Sequence, residues 1–141
     1  ERITMTDNQI DLIERFYAKY QHGQTELCQE IELNVFGCVY GATSWTNRVE
    51  ADNVAKKFDL RPDTRLLDVG AGTGWPSIYW AEQTGCTSVC IDLPQEGLQV
   101  LRARAEKDGV SNNVITACAN GAALPFGHGG FDAVFHSDVF C

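Results

Sequence analysis

Residues 66–74 have the sequence Leu66-Leu67-Asp68-Val69-Gly70-Ala71-Gly72-Thr73-Gly74. Apolar residues lead into an acid, and three glycines follow at alternate positions. A buried strand that ends in a tight turn has this composition, because glycine adopts positive φ easily and lets a ligand approach bare backbone. The stretch predicts a strand followed by a ligand-binding glycine loop.

The residues after the loop predict a helix and then a second strand that ends in Asp92. Pro76 stands near the helix start, where its missing N–H costs little, and Gly85 follows the helix end. The strand 88–91 comes next. An acid at the tip of the second strand of a doubly wound sheet is placed to bind both hydroxyls of a ribose. We therefore expect a cofactor that contains a nucleoside.

The spacing of the glycines separates two classes of cofactor. The dinucleotide fingerprint G-x-G-x-x-G, placed on Gly70 and Gly72, requires a third glycine where Trp75 stands. The observed pattern, D-x-G-x-G-x-G from Asp68 to Gly74, resembles motif I of the class I S-adenosylmethionine-dependent methyltransferases. The resemblance implies S-adenosyl-L-methionine as cofactor. An NAD(P)-dependent oxidoreductase and a non-catalytic module that binds the same cofactor are the alternatives.

The resemblance continues along the chain from Leu66 to about the last residue. Asp92 matches the family's ribose-binding acid, and Leu93 matches the residue that packs on the adenine. Asn120, followed by Gly121, stands where the family's G-D-A-x-x-L-P-F segment has an acid that binds the adenine amino group. The amide oxygen of Asn120 can still accept that hydrogen bond, although a simple turn residue is the alternative.

A segment rich in glycine and aromatic residues, 36–46, precedes motif I at the distance where family members fold a flap over the cofactor. Tyr40, Trp45 and Thr46 could line the methionine end or the substrate mouth, because aromatic faces suit a sulfonium cation. A packed connector is an equal alternative. With this segment, the resemblance implies the following cofactor-binding residues: Asp68, Gly70, Ala71, Gly72, Gly74, Asp92, Leu93, Asn120, Gly121 and Thr46.

Two ionisable residues of the predicted site, Asp68 and His136, have separate expected roles. We expect Asp68 to accept backbone N–H groups of the glycine loop and to face the cofactor's ammonium group. His136 and Asp138 follow the fourth strand, where the family places residues near the transferred methyl group. His136 is the candidate catalytic base, because the pKa of histidine lies near working pH, with a structural role as the alternative. Histidines and cysteines are scattered, so no metal site is predicted.

Strands and helices alternate after residue 60, which predicts parallel strands with helices on both faces. The predicted fold is therefore α/β, a Rossmann-like doubly wound parallel sheet with an N-terminal helical segment. We expect a single domain, with a helical cap over 1–60 and the Rossmann-like core over 61–141. The predicted elements of the core are strands 65–69, 88–91, 113–117 and 132–136 and helices 75–83 and 94–108.

The N-terminal segment carries weaker signals. Thr6 and Gln9 form a possible capping box. A stripe of helical period follows, and a second helix, capped by Thr46, is predicted to end near Leu60. Residues 22–44 are left unassigned. The positions predicted to face inward are Ile10, Ile13, Phe16, Tyr17 and Tyr20 in the first helix and Val49, Val54, Ala55 and Phe58 in the second.

Composition limits the partners. Nineteen acids against 11 bases give a net charge of −8, which disfavours nucleic acid and favours a small-molecule methyl acceptor. No apolar run approaches the ~20 residues of a membrane span, so no membrane partner is expected. Six cysteines without close pairs, with Cys90 inside a strand and Cys118 just after another, indicate reduced core thiols and a cytoplasmic protein. Oligomeric state is not predicted.

The family normally continues beyond the fourth strand with a fifth strand and an antiparallel hairpin. Here the sequence stops at Cys141, and an exposed fourth strand would be a sheet edge. We therefore expect the 141 residues to be an incomplete methyltransferase domain within a longer chain.

Overall fold

The computed structural model describes residues 7–41, 44, 46–137 and 139, and within α1 it describes no side chains for residues 7–9 and 12. Within that part, the chain forms five helices and four strands. In chain order they are α1 Asp7–Gly23, α2 Glu26–Phe36, α3 Arg48–Lys57, β1 Arg65–Val69, α4 Ser77–Thr84, β2 Thr87–Asp92, α5 Gln95–Lys107, β3 Val114–Cys118 and β4 Ala133–His136.

The four strands form one parallel sheet in the order β3-β2-β1-β4. In the register of the sheet, Leu67 of β1 lies between Val89 of β2 and Val134 of β4. The chain therefore moves outward from β1 to β3 and then returns to the other side of β1. This confirms the predicted Rossmann-like sheet, and the reversal beside β1 creates a crevice at the carboxyl ends of the strands.

The two faces of the sheet are covered differently. On one face, Leu66 and Cys90 lie in the apolar clusters that α3, α4 and α5 complete, with Trp80 of α4 fully buried. Side chains alternate along a strand, so Leu67 and Val69 point to the opposite face, together with Val89 and Ile91 of β2. Within the described residues that face is packed by Phe126 and Phe131 rather than by a helix. In the described part of the chain, the expectation of helices on both faces therefore holds for one face.

The start or the cap of α2, α3 and α4 differs from the prediction. The unassigned region contains α2, which Thr25 caps through its side chain and which ends at Gly37 in the left-handed conformation. Helix α3 is capped by Asn47 and not by Thr46: the Asn47 side chain accepts from the Glu50 N–H, and the Glu50 carboxylate accepts from the Asn47 N–H. Helix α4 begins at Ser77, two residues later than predicted.

The predicted inward stripes are right only in part. In α1, Tyr20 is buried, but Ile10 and Tyr17 are exposed. In α3, Val49 and Phe58 are exposed, and Ala51 is the buried residue instead. The proposed capping box of α1 includes Thr6, which lies outside the described residues.

The described cysteines, Cys28, Cys38, Cys86, Cys90 and Cys118, are free thiols. Cys90 is buried as expected, whereas Cys118 is exposed and donates to the Leu93 carbonyl oxygen at 3.3 Å. Cys118 is therefore not a core residue. Among the described helices, none has the length and apolar character needed to cross a membrane.

Candidate functional site

The glycine loop connects β1 to α4 and is fixed to the neighbouring strand. The Ile91 carbonyl oxygen of β2 accepts the N–H groups of Gly70 at 2.8 Å and Ala71 at 3.0 Å. Both Gly70 and Gly72 have positive φ, at 77° and 52°, a conformation that glycine adopts without steric cost. The loop therefore lies at the reversal of strand order, where the sequence places it.

The three glycines meet three different neighbours. A Cβ added at Gly70 would lie 2.2 Å from a methyl carbon of Val139, and one at Gly72 would lie 3.3 Å from the ring of Tyr20. A Cβ at Gly74 would instead collide with Ile78 and Leu101 inside the core, at 2.6 and 2.8 Å. The small size of Gly74 is thus explained by packing, whereas Gly70 and Gly72 line the crevice. A cofactor contact at Gly74 stays a prediction.

Asp68 is buried at the end of β1 and has a hydroxyl donor. Its Oδ2 accepts from the Ser77 hydroxyl at 2.7 Å, so the structure differs from the expected bonds to loop N–H groups. Burial raises the pKa of Asp68 to about 7, against the lowering effect of the Ser77 bond. The physical reason is position: the loop amides turn toward Ile91 and Asp92, and Asp68 lies behind them under α4.

Asp92 is the acid that the loop amides do contact. Its Oδ2 accepts from the Gly72 N–H at 2.8 Å and from the Tyr20 hydroxyl at 3.1 Å, and its Oδ1 accepts from the Leu93 N–H at 2.7 Å. Burial raises the pKa of Asp92, and the two backbone donors act in the opposite direction. Burial, followed by the Asp92 charge, also raises the pKa of Tyr20, so the phenol keeps its proton and donates it. Asp92 is therefore an oriented acceptor at the mouth of the crevice.

The predicted adenine contacts lie near the tips of β2 and β3. Leu93 is 37% exposed, which leaves an apolar surface next to Asp92. Asn120 is half-buried, and its Oδ1 accepts from the Ala122 N–H at 2.9 Å, so it serves as a turn residue in this structure. The amide oxygen has a second lone pair, so the turn leaves an adenine contact possible. The neighbouring Gly121 is half-buried in the same turn.

His136 lies at the carboxyl end of β4. In the register of the sheet it lies opposite Val69, the residue that directly precedes the glycine loop. Its side chain is exposed. Thr46 lies near this strand tip, since its hydroxyl donates to that of Ser137 at 3.3 Å. Asp138 is outside the described residues. The structure therefore brings Thr46 and the end of β4 together at the predicted edge of the sheet.

The predicted flap is bound by a half-buried arginine. Arg104 of α5 donates to the carbonyl oxygens of Val39 at 3.0 Å and of Tyr40. The Gly41 carbonyl oxygen accepts from the Thr73 hydroxyl of the glycine loop at 2.5 Å. These bonds connect the segment before α3 directly to the loop.

The rings of the flap are packed. Tyr40 is buried and stacks on Trp75, with ring centroids 3.9 Å apart. The Trp75 Nε1–H donates to the Thr46 carbonyl oxygen at 2.6 Å. The packed-connector alternative therefore describes Tyr40, while Trp45 lies outside the described residues.

Sequence reasoning missed the roles of Tyr20, Gly97 and Arg104. Tyr20 was placed on the inner face of α1 without a partner, because 72 residues separate it from Asp92. Gly97 lies in α5, and a Cβ there would come within 2.8 Å of the Tyr20 ring. Glycine is a poor helix former, so its presence in a predicted helix was an available signal of close packing.

Two other features do not form a site. A depression at the opposite, amino edge of the sheet is lined by Asp59, Asp63 and Asp132, and Arg61 forms ion pairs with the first two. Within the described residues, no group of three histidine, cysteine or acidic side chains is arranged to hold a metal ion. The crevice at the carboxyl edge is thus the candidate site.

Known proteins resemble the chain over the same region. Residues 66–141 match the family model described as a methyltransferase domain. The rice (Oryza sativa subsp. japonica) 24-methylenesterol C-methyltransferase 2 is 31% identical over 94 residues, which are 67% of this chain and 26% of that protein. The glycine/sarcosine/dimethylglycine N-methyltransferase of Actinopolyspora halophila is 32% identical over 87 residues, 62% of this chain and 15% of that protein.

A solved structure shows the same fold. The S-adenosyl-L-methionine-dependent methyltransferase from Thiobacillus denitrificans, in complex with S-adenosyl-L-homocysteine, superposes with a TM-score of 0.60 at 20% identity. The superposition covers 79% of this chain and 43% of that one. The chain spans less than a third of the length of the two relatives above. Because the family model matches more than half of the sequence, the chain belongs to the methyltransferase-domain family.

Proposed function

We propose that the protein binds S-adenosyl-L-methionine and transfers its methyl group to a small-molecule acceptor. The observation that carries the proposal is Asp92, a half-buried carboxylate at the tip of β2 whose orientation is fixed by the N–H groups of Gly72 and Leu93. An acid in this position of a doubly wound sheet suits the two hydroxyls of a ribose.

The surrounding residues fit the rest of such a cofactor. Gly70, Ala71 and Gly72 offer bare backbone for the methionine part, with Asp68 as a nearby buried acid for a cationic ligand. Leu93 offers an apolar surface for the adenine, and Asn120 with Gly121 forms the turn that would lie at its edge. When bound, the cofactor supplies a methyl group already activated by the positive sulfur, so the protein mainly positions the acceptor and excludes water.

The proposal specifies the methyl acceptor only as a small molecule. A net charge of −8 disfavours a polyanionic acceptor such as nucleic acid. The names of the two relatives cited above refer to a sterol carbon and to an amine nitrogen, so they support a small acceptor without agreeing on the atom. His136 is the candidate base for an acceptor that starts out protonated.

The proposal also includes the organisation of the chain, in which residues 1–60 form a cap over the core 61–141. Free thiols agree with a cytoplasmic location.

Isothermal titration of the full-length protein with S-adenosyl-L-homocysteine tests the cofactor. We expect binding by the wild type, and about 100-fold weaker binding by Asp92→Ala, because two hydrogen bonds to a charged group are lost. Asp63→Ala is the matched control, since it removes an exposed carboxylate at the opposite edge of the sheet. Absence of binding by the folded wild type, or equal affinities of the two variants, would contradict the proposal.

Two further measurements separate the alternatives. Titration with NADH should give no binding, because Trp75 occupies the position where the dinucleotide fingerprint requires glycine. Transfer of a labelled methyl group to a panel of small amines, alcohols and sterols distinguishes an enzyme from a module that binds the cofactor without using it. Binding without transfer to any acceptor would favour the module.

A further inference from the structure

Tyr20 lies where the ribose of the proposed cofactor has to bind. Its hydroxyl donates to Asp92 Oδ2 at 3.1 Å, the same oxygen that accepts from the Gly72 N–H. The side chain is only 7% exposed, and its ring lies against Gly72 and Gly97, two residues without a Cβ. In this structure the glycines of the crevice therefore make room for a side chain from α1.

The hydrogen-bonding capacity of Asp92 does not allow both partners. A carboxylate has about four acceptor sites on its two oxygens. The N–H groups of Gly72 and Leu93 occupy two of them and come from the backbone that carries the site. Two ribose hydroxyls would fill the remaining two, so the Tyr20 phenol has no acceptor site left on Asp92.

We propose that Tyr20 is an internal competitor of the cofactor, a phenol that occupies a ribose-hydroxyl position and must leave before the cofactor binds. The inference rests on the proposed function, because it takes Asp92 as the ribose-binding acid. Release requires the Tyr20 side chain to leave its contacts with Gly72 and Gly97. The apparent dissociation constant is then the intrinsic constant divided by the fraction of molecules in which Tyr20 has left Asp92.

Two other roles of Tyr20 make the opposite prediction. If Tyr20 only supports the fold, removing its hydroxyl leaves cofactor affinity unchanged. If Tyr20 contacts the bound cofactor, removing the hydroxyl weakens binding. Only a competitor gives tighter binding when the hydroxyl is removed, so the direction of the change separates the three roles.

The experiment is isothermal titration of S-adenosyl-L-homocysteine into the full-length wild type, Tyr20→Phe and Tyr17→Phe. Phenylalanine keeps the ring that packs on Gly97 and removes only the hydroxyl that binds Asp92. We expect Tyr20→Phe to bind about tenfold more tightly, because the competing bond goes to a charged group. Tyr17→Phe, the same change at an exposed position of α1, should bind like the wild type.

Equal or weaker affinity of Tyr20→Phe, with a wild type that binds, would overturn the inference and leave the proposed function intact. A folded wild type that does not bind at all overturns the proposed function, and the inference with it.

A second measurement uses the wild type and so does not depend on the folding of a variant. In stopped-flow experiments followed by tryptophan fluorescence, the observed binding rate should level off at high S-adenosyl-L-homocysteine concentration, at the rate of Tyr20 release. A rate that rises linearly over the whole accessible concentration range would contradict a gate of this kind.

Discussion

The tips of β1 and β2 and the tips of β3 and β4 lie on the same edge of one sheet, but they are built differently. Asp68 is buried and Asp92 is half-buried, and hydrogen-bond donors hold both carboxylates in place. By contrast, His136 is exposed and Asn120 is half-buried in a turn. The tips of β1 and β2 are therefore held more firmly than the tips of β3 and β4.

The largest expected contrast between the β1 and β2 region and the β3 and β4 region is in stability. Trp80 is fully buried beside β1, donates its Nε1–H to the Ala51 carbonyl oxygen at 2.9 Å, and contacts Phe135 edge to face. We expect Trp80→Ala to lower the free energy of unfolding by about 3–5 kcal/mol, since it leaves a large cavity. Val134→Ala, at an exposed position of β4, should cost about 0.5 kcal/mol or less. Urea unfolding measures both, and similar losses would remove the contrast.

The pH dependence of stability tests the burial of Asp68. Because burial raises the pKa of Asp68 from 3.8 to about 7, the folded state binds the proton more tightly than the unfolded chain. The resulting stability is fully present below pH ~4 and is lost as the pH rises through about 7. The contribution of Asp68 should fall by about 2–3 kcal/mol between pH 5 and 8.

Asp68→Asn removes this titration, so its free energy of unfolding should lose less over that pH range than that of the wild type. Urea unfolding at several pH values gives the difference between the two curves. Asp63→Asn, an exposed acid, is the control and should follow the wild type. Parallel curves for the wild type and Asp68→Asn would mean that Asp68 is not buried as a titrating group.

The smallest expected effect concerns the adenine end. The Oδ1 of Asn120 already accepts from the Ala122 N–H, so an adenine contact would share this oxygen. We expect Asn120→Ala to weaken binding of S-adenosyl-L-homocysteine about threefold, a fraction of the effect of Asp92→Ala. Asn112→Ala, the same change at an exposed position before β3, should not alter affinity in the titration. A loss of affinity as large as that of Asp92→Ala would mean that the tips of β2 and β3 contribute equally to binding.

Local signals in the sequence predicted the parts of the fold that depend on neighbouring residues. The glycine loop after Asp68 and the acid at the tip of β2 follow from strand ends and glycine spacing within about 25 residues. The cap of α3 was open to the same reasoning: Asn47 is followed three residues later by Glu50, whereas Thr46 is followed by Val49. That comparison would have identified the correct cap.

The other missed contacts join residues that are distant in the sequence. Helix α2 did carry a local signal, since Leu27, Ile31 and Val35 are spaced four residues apart, although the structure buries none of them. The bond between Tyr20 and Asp92 joins residues 72 apart, and the bond from Arg104 to Val39 joins residues 65 apart. Neither bond can be predicted from the sequence, because many other polar groups in the chain could serve as the acceptor.

The contact of the Tyr20 ring with Gly72 and Gly97 also has a thermodynamic consequence. The crevice wall is already shielded from water by an aromatic side chain, so a ligand that displaces the ring exchanges one apolar contact for another. The heat-capacity change of binding reports the net apolar area buried. That change should therefore be smaller than the size of the ligand suggests, with a binding enthalpy that varies little with temperature.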